Sequence, residues 1–545
     1  MGGTAAAGQR PAGAAVGGPA AVSERSRVSA QTGGRSRGWT VALDLATVVL
    51  LVVLAAWLRA PGLAPSSLWL DDAWVALVHR TDSWQELRYV GFAAPGFVAG
   101  LKGWLEVVGP SALTAQLPAF LAGVLAPAAA FLLGRWRRWH RAAALLAGMV
   151  LVTSPIAITY ATRVKQYTVE ALLGVLLLAL ALWLLDDRAD RRRWVAFLGV
   201  GGAATVVSAF LAPTVGAGLL AVLVAELRDR DRTGVVRAVG WGLAYALAAL
   251  GWYLAVLAPA VTSSISGFWA EDFLTVDAGL GAFVASVGDG MAGVLAGLLP
   301  LPVWLGAVLL AAAVVAVVAG RELEVAVLLL TPSVVAVGLA GLQLAPLGGG
   351  RTDVHLYPSL ALLLAAGVAV GLRVGAVPGR WWPGAGVVGA LGLSVALLWA
   401  AEPVAGYPRH DVRPLVDEVE DRATADEVIL VYPSTVWAYA LYSGSPIELV
   451  ADPVSSWGFS PRFDDPRIVV LPPGRDDPSA YLPTVASLAG TDTEVVWLVA
   501  THWRDDLEGL RAQLEDAGFV GEEVARRDGA RLERYERYER DRPRP

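Results

Sequence analysis

Three short polar clusters hold the side chains of this 545-residue chain best suited to chemistry. In "SLWLDDAWVALVHR", residues 67–80, two adjacent carboxylates, Asp71 and Asp72, stand among tryptophans and aliphatics. Carboxylates so placed can take a proton from a hydroxyl or hold a divalent ion. They can also cap the helix that "DDAWVALVHR" would form, because Asp suits a helix N-terminus, and capping does not exclude catalysis. The second cluster is "TYATRVKQYTVE", with Arg163, Lys165 and Tyr167. Lys102 and Lys165 are the only lysines among 43 basic residues, which singles out Lys165. Two cations and a phenol at the start of a helix, where the macrodipole is positive, suit an anion, phosphate above all. Binding of ordinary lipid headgroups is the alternative. The third cluster, "GGGRTDVHLYPS", supplies Arg351, Asp353, His355 and Tyr357. It lacks the Gly-Lys-Ser/Thr ending of a nucleotide-binding P-loop. Arg351 can instead bind phosphate oxygens in a bidentate way, or pair structurally with Asp353.

These clusters must be positioned by membrane helices. The chain is 55% hydrophobic and 17% charged, with a mean hydropathy of +0.54, outside the range of a soluble domain of this length. Residues 1–38, rich in Gly, Ala, Ser and Arg, read as a disordered cytoplasmic arm. Val41 to Ala60 is long enough to span a bilayer, and longer than the apolar core expected of a cleaved signal peptide. Cytoplasmic loops collect Lys and Arg, so 134-GRWRRWHR-141, 186-DDRADRRR-193, 226-ELRDRDRTGVVR-237, Arg321, Arg373 and Arg380 belong inside. Eleven spans satisfy this, at about 41–60, 112–133, 142–158, 167–185, 194–209, 213–226, 238–257, 292–318, 325–342, 356–372 and 384–401. Residues 93–108, with Pro95, Lys102 and Glu106, would lie in the interface as an amphipathic piece. The spans form a membrane domain at 39–402, with an outer loop at 61–111. The N-terminus is then cytoplasmic and residues 403–545 are extracytoplasmic, on a multi-pass protein of the plasma membrane.

This topology brings all three polar clusters to the outer face at helix ends. Charges there are expensive unless a cavity or ligand needs them, so three clusters of mixed sign point to a shared site. A helix end anchored by snorkelling residues is the plainer reading of any single cluster. The outer loop 259–290 adds Trp269, Glu271 and Asp272, which could close over the site or simply mark an interface belt. With no cysteine and only five histidines, the chain has no disulfide framework, no thiolate nucleophile and no His-rich metal site.

After Ala401 the short β-branched runs "EVILVY", "RIVVLPP" and "EVVWLVA" alternate with helical patterns such as "RDDLEGLRAQLEDAG". This predicts a soluble α/β domain with a partly parallel sheet. Tyr432, Trp437 and His502 would lie near its strand ends, as contacts or as packing. The end "RLERYERYERDRPRP" reads as a solvated tail rather than a nucleic-acid patch.

The landmarks "LDDAW", "AAPGFVAGLKGWLEVVGPSALTAQLPAFLAGVLAPAAAFLLGR", "SPIAITYATRVKQYTVEALL" and "GRTDVHLYPSLALLLAAG", in this order over roughly residues 41–400, resemble the GT-C membrane glycosyltransferases. The nearest branch is glycosyltransferase family 39, which includes protein O-mannosyltransferases and is similar to the lipid A aminoarabinose transferase. The resemblance implies a polytopic α-helical membrane protein with a GT-C fold, transferring a sugar from a polyprenyl-phosphate carrier at the non-cytoplasmic face. Asp71 matches the first acid of the family's Asp-Glu motif, a general base or metal-associated carboxylate, and Asp72 stands where Glu is commoner. Arg163, Lys165 and Tyr167 match the stretch near the lipid phosphate, and Arg351 matches a late basic residue that meets the carrier. Gln116 departs from the Arg that relatives often carry. The 160–167 turn lacks the second acid of some branches, so metal dependence stays open.

The residue types suit that chemistry. Glycosyl transfer to a hydroxyl needs a base for the acceptor's proton and positive charge for the departing phosphate. Direct displacement would invert the anomeric configuration. The resemblance implies a polyprenyl-phosphate-linked sugar as donor, a glycan, lipid or protein as acceptor, and membrane lipids around the chain, with no nucleic acid. A divalent ion, Mg or Mn, on Asp71 and Asp72 is a further option, although two carboxylates are a thin oxygen set. A lipid or glycolipid transporter, or flippase, is the alternative, but inverted repeats and mid-membrane charges are not evident. A non-catalytic envelope scaffold would need none of the Asp, Arg and Lys constellation.

Overall fold

The computed structural model of the chain describes residues 21–90, 94–260, 269–375, 382–405, 410–452, 459–473 and 477–538. The chain divides into two compact units, Met1–Leu50 and Leu51–Pro545, and the site lies wholly within the second. The first helix runs Ala21–Arg59, so residues 21–38 of the expected arm continue the first span as helix. Extending a helix already formed by an apolar stretch gains a hydrogen bond per residue, which explains the longer element. Residues 1–20 of that arm lie outside the described residues.

The protein is a multi-pass membrane protein of helices with a carboxy-terminal strand-containing domain. A helix falls at each of the eleven expected positions, but among the described residues eight helices are long and apolar enough to cross a membrane, and Arg141–Thr153, Val303–Ala319 and Gly384–Ala400 are shorter apolar helices. Two expectations need correction. The span expected at 142–158 is two helices, Arg141–Thr153 and Pro155–Tyr160, parted at Ser154 before Pro155. The span expected at 292–318 is two helices, Leu280–Leu298 and Val303–Ala319. Pro300 and Pro302 fall in the break, where each removes a backbone donor and clashes with a continuing helix. Leu280–Leu298 is long and apolar enough to cross a membrane, yet its contacts keep it at one end of the bundle. A Cβ on Gly341, at the end of helix Leu323–Gly341, would lie 3.6 Å from Phe283. Further along, a Cβ on Gly293 would meet the Gly348 carbonyl at 2.5 Å, and one on Gly297 would meet the Tyr357 hydroxyl at 2.2 Å. Glycine is required at 293, where two backbones approach closely, and at 297 its missing Cβ leaves room for the Tyr357 side chain.

The opposite end carries the basic loops. Arg137 pairs with Asp186 at 2.7 Å, Arg188 with Glu226 at 3.3 Å and with Asp229, Arg228 with Glu324 at 2.7 Å, and Arg373 with Glu322 at 3.0 Å. The loops that the charge rule groups together thus knit into one mesh, and the three polar clusters occupy the other end.

Three hydrophobic cores organise the second unit. One lies wholly in the carboxy-terminal domain, around Leu430, Tyr481, Leu498 and Leu510, and another belongs to the helical bundle. The third joins the loop after the first span to the carboxy-terminal domain, with Leu68, Trp74, Val78, Phe97 and Leu101 packed together with Val416, Trp437 and Phe459. Within that loop, helix Pro95–Val108 buries Phe97, Val98, Leu101 and Leu105 on one face and carries the Lys102–Glu106 pair at 3.0 Å.

The carboxy-terminal domain is α/β, with strands β1 Val428–Val431, β2 Ile447–Ala451, β3 Phe459–Phe463, β4 Ile468–Val470, β5 Val495–Thr501, β6 Phe519–Arg527 and β7 Ala530–Arg537. Five of them form a sheet in the order β4-β1-β5-β7-β6, parallel across β4-β1-β5 and antiparallel beyond. β2 and β3 pair separately. The charged end expected as a solvated tail is instead β7, paired on both sides, as far as Arg537. Leu532 and Tyr535 are buried, and the buried Glu533 is satisfied by Arg511 and the Tyr535 hydroxyl at 2.8 Å. Residues 539–545 of that end lie outside the described residues.

Candidate active site

The two acids open a short helix, Leu70–Ala76, whose following residues Ala73, Trp74, Val75 and Ala76 are buried. Successive residues on a helix diverge by about 100°, so neighbouring acids meet different surroundings. Asp72 faces inward: its Oδ1 accepts from the Val164 amide at 2.7 Å, and its Oδ2 accepts from Arg163 at 3.1 Å. Its side chain is 1% exposed. A backbone amide and a guanidinium satisfy this buried carboxylate. Asp71 meets Arg351 at 3.2 Å and keeps 13% exposure. Of the pair, Asp71 is the one a substrate could reach.

Arg163 and Lys165 lie in the turn between helices Pro155–Tyr160 and Tyr167–Asp186. Pro155 starts the first of these, and the Ser154 hydroxyl caps it by accepting from the Ala157 amide at 3.3 Å. The end of the preceding helix, Arg141–Thr153, is secured by the fully buried Arg59, which donates to Leu151 O at 2.9 Å and Val152 O at 3.0 Å. An arginine on terminal helix carbonyls both bonds them and complements the dipole. Gln116 ties the turn to the first loop. Its amide donates to Thr162 O at 2.6 Å and Gly62 O at 3.2 Å, while its carbonyl accepts from the Ala64 amide at 2.9 Å.

Each of the three cations stands over a tryptophan: Arg163 over Trp69 at 5.1 Å, Lys165 over Trp74 at 4.6 Å and Arg351 over Trp269 at 4.8 Å from the ring centroids. Such contacts hold a cation where little water reaches it. Burial lowers the Lys165 pKa below the ordinary lysine value, against the opposing pull of Asp71 and Asp72. Tyr160 is shifted upward by burial, opposed by Arg351 and Arg163, and it hydrogen-bonds Arg351. Tyr167 lies behind it, edge-on to the Tyr160 ring at 5.0 Å.

In the third cluster only Arg351 reaches the acids. Gly350, at φ +76°, turns the chain before the short helix Arg351–Leu356. Asp353 accepts from the Gly350 amide at 3.0 Å and the Gly348 amide at 3.2 Å, bracing that turn. His355 bonds Thr352 O through Nδ1 at 2.8 Å and stacks on Phe210 at 5.3 Å. Tyr357 is buried against Gly297. These three side chains are thus engaged with their own surroundings rather than with Asp71. From the preceding long loop, Asp272 O accepts from the Leu347 amide at 3.0 Å, which fixes Trp269 beside Arg351. Burial raises the Asp272 carboxyl, with Glu271 adding to the rise and Arg351 opposing it.

Sequence reasoning missed Arg59, Tyr160 and the anchoring role of Gln116. An arginine at the end of an apolar span resembles a snorkelling residue, and nothing in its spacing reveals the carbonyls of residues 151 and 152. In the carboxy-terminal domain Tyr432 donates to Asp506 at 2.5 Å, Trp437 packs on Phe459 at 5.1 Å, and His502 lies beside His410 at 5.4 Å.

The two acids by themselves offer a divalent ion few oxygens. Both Asp72 oxygens are engaged, three cations crowd the acids, and no group of three or more His, Cys, Asp or Glu residues among the described residues could hold a metal. A hard cation seeks six or more oxygens.

Compared with solved structures, the chain resembles Cupriavidus metallidurans ArnT bound to undecaprenyl phosphate, with a TM-score of 0.55 and 17% identity over 91% of this chain and 98% of that one. It also resembles ArnT from the same organism in the apo state, with a TM-score of 0.52 and 14% identity over 92% and 98%. The fold is the GT-C fold. At such identities the likeness establishes the fold and leaves the chemistry to be argued from side chains. No protein-family model and no curated protein matches the chain. On the GT-C fold of this chain, acids and cations from three distant stretches of sequence meet at one end of the bundle.

Proposed function

We propose that the chain is a membrane glycosyltransferase that moves a sugar from a polyprenyl-phosphate carrier to an acceptor hydroxyl at the outer face of the membrane. The observation that carries this reading is the pairing of Asp71 with Arg351, 280 residues apart in sequence, beside Arg163 and Lys165. The undecaprenyl phosphate bound by the structurally similar ArnT supports a lipid phosphate as ligand. The gathering of the basic loops at the opposite end supports an outward-facing site and a cytoplasmic N-terminus.

In this reading Asp71 takes the proton of the acceptor hydroxyl. The acceptor oxygen bonds to the anomeric carbon as the bond from that carbon to the phosphate oxygen breaks. The electron pair leaves with the polyprenyl phosphate, whose charge Arg163, Lys165 and Arg351 stabilise. Arg351 exchanges Asp71 for the phosphate as the donor enters, and this frees the carboxylate to act as base. Direct displacement inverts the anomeric centre and forms no glycosyl-enzyme. Asp72, engaged by Arg163 and the Val164 amide, positions the cationic turn. The test compares envelope glycans, glycolipids and glycoproteins by mass spectrometry in cells with the chain, without it, and with Asp71→Ala. Loss of one defined sugar in the second and third strains supports the reading, and a normal profile with Asp71→Ala contradicts it.

A further inference from the structure

The short helix bearing Asp71 is gripped at both ends by the carboxy-terminal domain. At its start, Leu68 N–H donates to the Tyr442 hydroxyl at 2.7 Å, the Ser67 hydroxyl donates to Asp411 at 3.1 Å, and the Arg413 amide donates back to Ser67 at 2.9 Å. At the far end, Arg80 donates to Ser443 O at 3.1 Å and also to Ala440 O and Ser445 O. Those carbonyls surround the end of helix Val436–Tyr442, where helix acceptors lack internal partners and a cation is favoured. Between the two grips, Trp74 lies 6.3 Å from Phe459, which packs on Trp437 at 5.1 Å. Residues 67–80 therefore follow the 436–445 segment, more than 350 residues away, whereas Arg163, Lys165 and Arg351 are carried by the bundle.

We infer that the carboxy-terminal domain sets the position of Asp71 against the bundle's cations through the Arg80 clamp, which makes Arg80 a positioning residue for transfer. The inference rests on the proposed role of Asp71. A change at Arg80 shifts the acid and leaves the phosphate-binding cations in place, so it affects turnover and spares lipid binding. A displacement of about 1 Å in a reacting group can cost on the order of a hundredfold in rate.

The test uses the full chain in nanodiscs, with undecaprenyl phosphate as the binding probe. Transfer is read in cells from the glycan signal that disappears on deletion. Arg80→Ala is expected to lower transfer by at least about tenfold while lipid binding stays within about twofold, and Arg80→Lys, which still donates to carbonyls, is expected to restore much of the loss. Wild-type transfer in Arg80→Ala overturns the inference, as does a loss of lipid binding that matches the loss of transfer. If Arg80→Ala is not recovered folded, Tyr442→Phe is read against the same outcomes. Asp71→Asn run in parallel separates the two claims: full transfer with Asp71→Asn removes the proposed role of Asp71, whereas its loss beside a fully active Arg80→Ala removes the inference alone.

Discussion

The cations of the site stand on the helical bundle, and its acids stand on a short helix packed into the carboxy-terminal body. In the bundle, Arg163 and Lys165 sit in a turn braced by Arg59, Ser154 and Gln116, all of them bonded to backbone. In the other body, Asp71 and Asp72 are held by contacts reaching to residues 411–459. The ion pairs Asp71–Arg351 and Asp72–Arg163 link the short helix to the bundle and differ in kind. One is partly accessible and can exchange partners, whereas the other is buried and fixes the join. In the proposed mechanism the two adjacent acids divide the work of chemistry and of alignment.

This contrast can be broken in graded steps. Arg351→Gln removes the charge that restrains Asp71 and that, in the proposed mechanism, meets the phosphate, so transfer should fall by about 100- to 1,000-fold, as loss of a charge-stabilising donor does. Product accumulation in complemented cells checks it. Asp72→Ala leaves Arg163 without its buried partner, and the purified protein should lose about 3 kcal/mol of stability in a denaturation experiment. Gln116→Ala leaves three backbone groups without their partner and should cost about 1–3 kcal/mol by the same measurement. Glu106→Ala, which breaks only the surface pair with Lys102, should change stability by less than about 0.5 kcal/mol and serves as the control.

The lysine offers a test by pH. Its pKa is lowered, so the cation is fully present well below that value and is lost as pH rises through it, earlier than for an ordinary lysine. Undecaprenyl phosphate affinity should therefore weaken on the alkaline side. Lys165→Arg should hold its affinity there, because guanidinium stays protonated. Binding titrations across pH distinguish the two proteins.

Much of this organisation was legible in the residues. Apolar stretches and Arg-rich loops located the spans, and the sign rule grouped the three polar clusters at one end. The exception at 280–318 arose because hydropathy alone does not separate a crossing helix from one lying along the bundle's end, although Pro300 and Pro302 mark the break. The end at 530–537 misled because its charges outnumber Leu532 and Tyr535, which are the residues the sheet buries. Asp71, Arg163, Lys165 and Arg351 were readable by type. The different surroundings of Asp71 and Asp72, and the bonds that tie Leu68 to Tyr442 and Arg80 to the carbonyls of residues 440–445, arise between segments far apart in sequence, which local spacing does not encode.

The central claim is that Asp71 acts on the acceptor while the bundle's cations hold the lipid phosphate. Its most direct measurement pairs transfer with undecaprenyl phosphate binding for Asp71→Asn in the full-length protein. The account predicts transfer reduced by about 100- to 10,000-fold with lipid binding retained. Transfer at the wild-type rate would contradict it.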